Sequence, residues 1–189
     1  MSVLLLHAHP HTPPSRVNSA LLAVARGVAG VTVHDLYETY PHFFVDMRRE
    51  QRLVEAHATV VFQHPMYWYS VPPLLKQWFD VVLEEGWAYG RGSSATVGKG
   101  WAHAISTAGS AQSYGGEVDP ADDPTGRLNY FPLADYVKPW LQSARLCGMC
   151  WHAPFTVHGT GALDAPALQA ACERYRAWLG ALVADGGPA

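Results

Sequence analysis

Several features that would place the chain in a particular class of protein are missing from its 189 residues. No apolar stretch approaches the roughly 20 residues that a membrane-spanning helix needs. Cysteines number only three, and an odd count argues against a secreted disulfide framework. Lysine and arginine are scattered and the net charge is −3, so the chain has no basic stripe for nucleic acid. We therefore expect a cytoplasmic protein with no nucleic-acid partner.

Two nucleotide-binding fingerprints are also missing. Neither Gly-x-Gly-x-x-Gly nor the Walker-type Gly-x-x-x-x-Gly-Lys follows the first apolar run, so a Rossmann dinucleotide site and a P-loop are both unsupported. That run, residues 3–6, is too short for the core of a signal peptide, and no basic segment precedes it. Hydrophobic residues make up 49% of the chain, which is ample material for one domain over residues 1–189.

Short apolar runs alternate with segments of helical spacing. The runs that predict strands are residues 3–6, 31–33, 58–62, 100–106 and 150–157. The segments that predict helices are residues 17–25, 46–56, 72–83, 133–146 and 165–183. This alternation predicts an α/β, flavodoxin-like three-layer sandwich with a five-stranded parallel sheet in the order 2-1-3-4-5. In that order, ligands bind beyond the carboxyl ends of strands one and three.

The loop after the first strand carries groups that suit a phosphate. His9 offers a hydrogen bond, and Ser15 and Asn18 offer side-chain donors one turn apart at the start of a predicted helix. On the loop alone, however, an ordinary N-cap and an ordinary surface residue are the favoured interpretation. The alternation of His7, His9 and His11 does not predict a metal site, because an intervening proline interrupts the strand that would align them.

The loop after the third strand is unusually rich in large side chains: Pro65, Met66, Tyr67, Trp68 and Tyr69. Because loops run over the surface, aromatic residues there indicate a planar ligand or a protein interface. An isoalloxazine ring needs a flat apolar wall and backbone N–H groups for its polar edge, and this loop offers both. The alternative is that one or two of these side chains pack beneath the following helix.

The loop after the fourth strand consists of small residues, Ser106, Thr107, Ala108 and Gly109, which let a flat ligand approach the backbone closely. The phenol of Tyr114 lies beyond them and offers a hydrogen bond to a reducible ring. A generic polar turn is the alternative. The acidic cluster at residues 119–123 is interpreted as a solvated loop, and Cys147 and Cys150 as buried structural cysteines.

Together, the three loops resemble the flavin-dependent NAD(P)H:quinone oxidoreductases. The resemblance is closest to the short bacterial branch that includes the ancillary oxidoreductases of glutathione-gated potassium-efflux (Kef) systems. It covers the chain from strand one to about His158, and residues 63–78 form its longest and most specific segment. The other matching segments are residues 8–10 with Ser15 and Asn18, 86–90, 98–99 and 106–109.

The resemblance implies a flavin site with two parts. The phosphate would lie against His9, Ser15, Arg16, Val17 and Asn18. The ring would lie on residues 65–69 and meet Thr107, Ala108 and Gly109, while Tyr114 matches a tyrosine that contacts the reacting edge in larger members. FMN is expected rather than FAD, because the chain lacks the C-terminal extension of the larger members.

The activity implied is that of an NAD(P)H dehydrogenase (quinone), which passes a hydride from NAD(P)H through bound FMN to a quinone or similar acceptor. A regulatory ancillary subunit of a Kef antiporter, in peripheral contact with the inner face of the membrane, remains an alternative. So does an FMN-dependent azo or nitro reductase. Members of the family are typically homodimers.

Two departures from the family pattern stand out. Ala108 replaces the first glycine of the usual Thr-Gly-Gly, and we expect its β-carbon either to narrow the approach to the ring or to shift the turn. Larger members also carry a histidine a few residues after the tyrosine, whereas residues 115–120 contain none. No residue is therefore assigned as the proton donor.

Overall fold

The computed structural model describes residues 2–10, 14–115 and 129–185. Its strands form one parallel sheet in the order β2-β1-β3-β4-β5, and a further strand, β6, also pairs with β4. The strands are β1 (Val3–His7), β2 (Val31–Asp35), β3 (Thr59–Pro65), β4 (Gly100–Ser106), β5 (Cys150–Trp151) and β6 (Phe155–Val157). The predicted flavodoxin-like fold and strand order are confirmed.

Every residue of β1, β3 and β4 is buried, which explains why these strands appear as continuous apolar runs in the sequence. The helices that cover the sheet are α1 (Arg16–Arg26), α2 (Leu36–Thr39), α3 (Met47–Glu55), α4 (Pro73–Val82), α5 (Leu133–Tyr136), α6 (Lys138–Leu146) and α7 (Ala165–Asp185). Helices α1 and α7 pack on one face around Leu5 and Tyr175. The opposite face packs around Phe62 and Trp101 with α2, α3, α4 and α6.

Three elements differ from the sequence-based expectation. The predicted fifth strand is split into β5 and β6 by residues 152–154, where Pro154 has no N–H for the ladder. The predicted helix over residues 133–146 is divided at Val137 into α5 and α6. Helix α2 was not predicted, because four residues are too few to show a period; Asp35 caps it by accepting from the N–H groups of Tyr37 and Glu38.

A buried carboxylate joins β2, α3 and α4. Glu50 has no exposed surface, and its two oxygens accept hydrogen bonds from Tyr40 Oη at 2.5 Å, Trp78 Nε1 at 2.8 Å and His34 Nε2 at 2.9 Å. Burial alone would raise the pKa of Glu50, but the hydrogen bonds from His34 and Tyr40 outweigh it and hold the pKa below its usual value. The charge is therefore retained in the core and fixes α3 and α4 against the sheet.

Among the residues that the structure describes, no helix has both the length and the hydrophobicity needed to cross a bilayer.

The substitution Glu50→Gln tests this network. It preserves the size of the side chain but turns one acceptor into a donor that faces other donors. We expect the free energy of unfolding to fall by about 3 kcal/mol in urea denaturation. Asp80→Asn, at an exposed carboxylate paired with Lys76 on α4, is the control and should change it by no more than about 0.5 kcal/mol. Equal losses of unfolding free energy in the two variants would contradict the assignment of Glu50 as a buried charge that stabilises the core.

Candidate functional site

The loops that follow β1, β3 and β4, called here the first, second and third loops, lie at one edge of the sheet because the three strands are parallel. One side-chain amide ties the first loop to the third. Asn18 Nδ2 donates to Ser15 Oγ at 3.1 Å and to Ser106 Oγ at 2.8 Å, and the Asn18 N–H also donates to Ser15 Oγ at 3.1 Å. The start of α1 is thereby fixed against the last residue of β4.

These bonds decide which groups at the start of α1 face a ligand. Both amide hydrogens of Asn18 are used within the protein, so the donor expected of its side chain is already occupied. Its carboxamide oxygen is buried without a hydrogen-bond partner among the described residues, which suits a ligand hydroxyl. Ser15 Oγ accepts two N–H groups and so retains its own proton to donate.

The remaining first-loop residues differ in what they contribute. Arg16 and Val17 supply first-turn N–H groups, which precede any intrahelical acceptor. The Val17 side chain belongs to the core, and the exposed Arg16 side chain donates to the Leu163 carbonyl. The buried His9 ring lies 6.4 Å from the Tyr67 ring, centroid to centroid, and so joins the first loop to the second. His11 falls outside the described residues.

The second loop is a two-residue hairpin turn. Tyr67 and Ser70 exchange two backbone hydrogen bonds of 2.9 Å each, and Trp68 and Tyr69 between them have φ values of 49° and 61°. Positive φ at both central residues is typical of a type I′ turn, which favours Asn-Gly. A non-glycine residue held in this region costs on the order of 1–3 kcal/mol. Two aromatic residues are therefore held in a strained conformation here.

The strained turn presents its rings to solvent. Trp68 is 93% exposed, and the half-exposed Tyr69 ring stacks on Tyr136 with centroids 4.8 Å apart. Pro65 lies in β3 and is buried, because the strand runs three residues beyond its predicted end. The Met66 N–H donates to the Ser106 carbonyl at 2.8 Å, so the exposed residues of the turn begin only after it.

The third loop is shaped by a close approach at Gly109. A β-carbon there would lie 2.7 Å from Ser113 Oγ and 3.1 Å from Tyr114 Cε2, so a larger residue at this position would displace these two side chains. The Ala108 side chain, by contrast, is exposed and lines the neighbouring cavity. The buried Thr107 donates its hydroxyl proton to the Gly109 carbonyl at 2.8 Å. The glycine that is missing from the family pattern is therefore at position 108, where the side chain is exposed, and not at position 109, where a β-carbon would be crowded.

Between the second and third loops lies a cavity of about 290 Å³. It is lined by Met66, Trp68, Tyr69, Ala108, Gly109, Tyr114 and Asn129. Burial raises the pKa of the Tyr114 phenol, and the nearby Tyr69 phenol raises it further, so Tyr114 stays protonated at neutral pH and can donate. Another cavity, of about 310 Å³, lies between α4 and α6 around Phe79 and Trp140.

His158 is a site residue that the sequence did not reveal. Its Nδ1 lies 2.9 Å from Thr107 Oγ1, and its ring centroid is 5.3 Å from that of Tyr114. Since the Thr107 hydroxyl already donates to Gly109, it accepts here, and His158 Nδ1 carries the proton. Burial lowers the pKa of His158, which favours the neutral ring. No local signal could have identified it, because it is 44 residues from Tyr114 in the chain and reaches the site from the end of β6.

Two further features of the sequence are the cysteine pair and the acidic cluster. Cys147 and Cys150 are free thiols; Cys147 is buried, which raises its pKa to about 11, whereas Cys150 is only partly buried. The described residues contain no group of three or more histidine, cysteine or carboxylate side chains placed to hold a metal ion. The acidic cluster at residues 119–123 lies outside the described residues.

The family model for the flavodoxin-like fold matches residues 1–179, and the chain belongs to this family. A curated relative is the glutathione-regulated potassium-efflux system ancillary protein KefG of Pectobacterium carotovorum. It is 42% identical over 177 residues, which cover 94% of this chain and 92% of that protein. The resemblance inferred from the loops is confirmed.

Two solved structures have a similar fold over nearly the whole chain. General stress protein 14 from Treponema denticola, in complex with FMN, superposes with a TM-score of 0.82 at 35% identity and covers 96% of this chain and 99% of its own. An NADPH-quinone reductase from P. pentosaceus superposes with a TM-score of 0.79 at 25% identity, with coverages of 94% and 97%.

Backbone strain at the turn can be measured by comparing Trp68→Gly with Trp68→Ala. Both variants remove the exposed indole, but only glycine adopts positive φ without cost. We expect the Gly variant to exceed the Ala variant by about 1 kcal/mol in the free energy of unfolding. An Ala variant that equals or exceeds the Gly variant would show that the left-handed conformation at position 68 is not strained.

Proposed function

We propose that this protein is an NAD(P)H dehydrogenase (quinone) that binds FMN at the three-loop edge and reduces a quinone or similar acceptor. The observation that carries the proposal is the Trp68–Tyr69 turn, in which two aromatic residues are held strained and exposed beside a cavity. Strain of this kind clusters at functional sites, because there it is part of the mechanism. The FMN complex and the quinone reductase among the structural neighbours support the proposal.

The first loop fits the phosphate and ribityl parts of FMN. The Ser15 hydroxyl, the N–H groups of Arg16 and Val17 and the positive end of the α1 dipole would hold the phosphate, with His9 beside them. The buried, unpartnered oxygen of Asn18 would accept from a ribityl hydroxyl. An anion and a hydroxyl-bearing linker thus find complementary groups within one helical turn.

The other two loops fit the flavin ring. Met66, Trp68 and Tyr69 would form one wall and Ala108 and Gly109 the other, around the cavity already described. Glycine at 109 lets Ser113 and Tyr114 lie close to the backbone of the third loop. Bound FMN would supply the capacity to accept and return a hydride, which no side chain of the site provides.

The protein's own groups would orient the reactants and manage protons. The protonated Tyr114 phenol would donate a hydrogen bond to the substrate or ring at the cavity, and we propose it as the catalytic residue. His158 would keep Thr107 oriented through its Nδ1 proton.

We also propose a homodimer in which a second copy of the chain covers the exposed Trp68. Light scattering of the purified protein should therefore show the mass of a dimer.

A second function is favoured by the relationship to KefG, which is 42% identical over nearly the whole chain. KefG is named as an ancillary protein of a glutathione-regulated potassium-efflux system. We propose that this chain also serves as a regulatory subunit of a Kef-type antiporter, bound peripherally at the inner face of the membrane. The two functions are compatible, because a flavin site at one sheet edge leaves other surfaces free for a transporter.

Flavin titration tests the enzyme proposal. Purified protein is expected to bind FMN and then catalyse quinone-dependent oxidation of NADH or NADPH; an azo dye in the same assay tests the alternative acceptor. Ser15→Ala should raise the FMN dissociation constant about tenfold, because one hydrogen bond to a charged group is lost. Ser15→Ala should change the dissociation constant for riboflavin, which has no phosphate, by less than about twofold.

Asp46→Ala is the matched control for Ser15→Ala. It removes the N-cap of α3, which accepts from the Arg49 N–H at 3.0 Å, and so costs a similar amount of stability far from the ring cavity. Its FMN affinity should equal that of the wild type. A wild-type protein that binds neither FMN nor riboflavin would contradict the proposed function.

Tyr114→Phe separates the enzyme from the regulatory subunit. We expect it to lower quinone reduction by about two orders of magnitude while FMN binding is retained, because a positioned proton donor contributes about that much. The variant should still co-purify with a co-expressed Kef-type antiporter. If the wild type never co-purifies with the antiporter, the regulatory proposal is wrong; if Tyr114→Phe reduces quinones at the wild-type rate, the catalytic assignment is wrong.

A further inference from the structure

Beneath the second loop, an unbroken series of buried hydrogen bonds crosses β4 and β3. Trp101 Nε1 donates to His103 Nε2 at 2.8 Å, His103 Nδ1 lies 2.9 Å from His64 Nε2, and His64 Nδ1 lies 2.9 Å from the Pro65 carbonyl oxygen. The three side chains have no exposed surface. We call Trp101, His103, His64 and the Pro65 carbonyl the histidine relay.

The two ends of the histidine relay fix the position of every proton. An indole N–H can only donate and a carbonyl oxygen can only accept. His103 therefore accepts at Nε2 and donates from Nδ1, and His64 accepts at Nε2 and donates from Nδ1. Both rings are neutral in this arrangement. A proton added to either ring would place two N–H groups against each other, because no acceptor would remain at that contact.

The surroundings of the relay favour the neutral form. Burial lowers the pKa of His64 to about 4 and the pKa of His103 well below its usual value. His103 packs against Phe62 of β3, Trp140 of α6 and Trp151 of β5, none of which is charged. Of the other groups that act on these two pKa values, the Pro65 carbonyl raises that of His64, and His64 lowers that of His103.

The Pro65 carbonyl needs this donor because the sheet does not provide one. The Ala8 N–H donates to the Gln63 carbonyl at 2.9 Å. In the same register between β1 and β3, the next carbonyl of β3 that faces β1 is that of Pro65, and the nitrogen opposite it is that of Pro10. The nitrogen of proline carries no hydrogen and cannot donate. His64 Nδ1 takes the place of the missing N–H. The ladder thus ends at two prolines, and a side chain completes it.

The histidine relay therefore holds the peptide from which the ring-binding turn starts. The Pro65–Met66 peptide is fixed at its carbonyl by His64 and at its N–H by the Ser106 carbonyl. Met66 lines the cavity, and the strained Trp68 follows two residues later. A strained turn keeps its conformation only where the surrounding structure over-determines it.

We propose that His64 and His103 are positioning residues for flavin binding, and that protonation of the relay releases the Pro65–Met66 peptide and loosens the turn. This inference rests on the proposed function for its flavin, but the relay's effect on the turn can be measured without one. The relay touches the ring side of the site and not the phosphate side, so its loss should affect any ligand that carries the ring.

Two substitutions at His64 separate position from charge. His64→Leu removes the donor to the Pro65 carbonyl. His64→Gln keeps the polarity of the relay, because the amide N–H can donate to Pro65 and the amide oxygen can accept from His103, but it cannot be protonated. Glu50→Gln is the control, since it breaks a buried polar network of similar depth on another part of the fold.

Riboflavin is the ring probe, because the second ionisation of the FMN phosphate, with a pKa of about 6, would obscure the pH range of interest. At pH 7.5, His64→Leu should raise the riboflavin and FMN dissociation constants equally, by about tenfold, while His64→Gln stays within about threefold of wild type. Between about pH 6 and pH 3.5, a window that spans the lowered pKa of His64 of about 4, the wild-type riboflavin dissociation constant should rise as the relay is protonated, and that of His64→Gln should stay flat.

Amide hydrogen exchange of the flavin-free protein gives a readout independent of the ligand. His64→Leu should speed exchange at the Met66 and Ser70 amides, whose acceptors are the Ser106 and Tyr67 carbonyls, and His64→Gln should not. If neither exchange nor riboflavin affinity changes in His64→Leu, the inference is wrong. It is also wrong if Glu50→Gln weakens riboflavin binding as much, or if His64→Gln keeps the wild-type pH dependence. If the wild-type protein binds no flavin, the proposed function is wrong. Amide hydrogen exchange of the flavin-free protein then still tests whether the histidine relay holds the turn.

Discussion

The Pro65–Met66 peptide is the point from which the ring side of the site is built. Its carbonyl accepts from His64 and its N–H donates to Ser106, so both of its polar groups are bound at the end of β3. Everything beyond it in the second loop departs from regular structure, including two consecutive left-handed aromatic residues. A turn of that cost needs a fixed starting point, because otherwise the chain would relax to a less strained conformation.

The phosphate side depends on a different set of contacts and is joined to the ring side by Asn18. The amide of Asn18 uses one hydrogen on Ser15 at the start of α1 and the other on Ser106 at the end of β4. Its backbone carbonyl accepts from Gln63 Nε2 at 3.0 Å, and Tyr175 of α7, in the same helix layer as α1, donates to Gln63 Oε1 at 3.0 Å. Because these bonds are buried, the relative placement of the two halves of the site is set by the core and not by the ligand.

The strand order and the location of the site could be predicted from the sequence, because fully buried strands are continuous apolar runs and parallel strands end at one edge. The break at residues 152–154 was not predicted although Pro154 is a local signal for it, and the division of the helix at Val137 was not predicted because the helical spacing continues across it. His158 was missed because it meets Thr107 and Tyr114 only through the register of β6 on β4. The histidine relay was also invisible, because His64 and His103 become neighbours only when β3 pairs with β4.

Hydrogen exchange measured with and without FMN tests most directly whether the three loops form one flavin site. Binding should slow exchange at the first turn of α1, at residues 67–70 and at residues 107–109, and should leave the groove between α4 and α6 unchanged. Protection confined to the groove around Phe79 and Trp140, or to the first turn of α1 alone, would contradict a site in which the aromatic turn holds the ring.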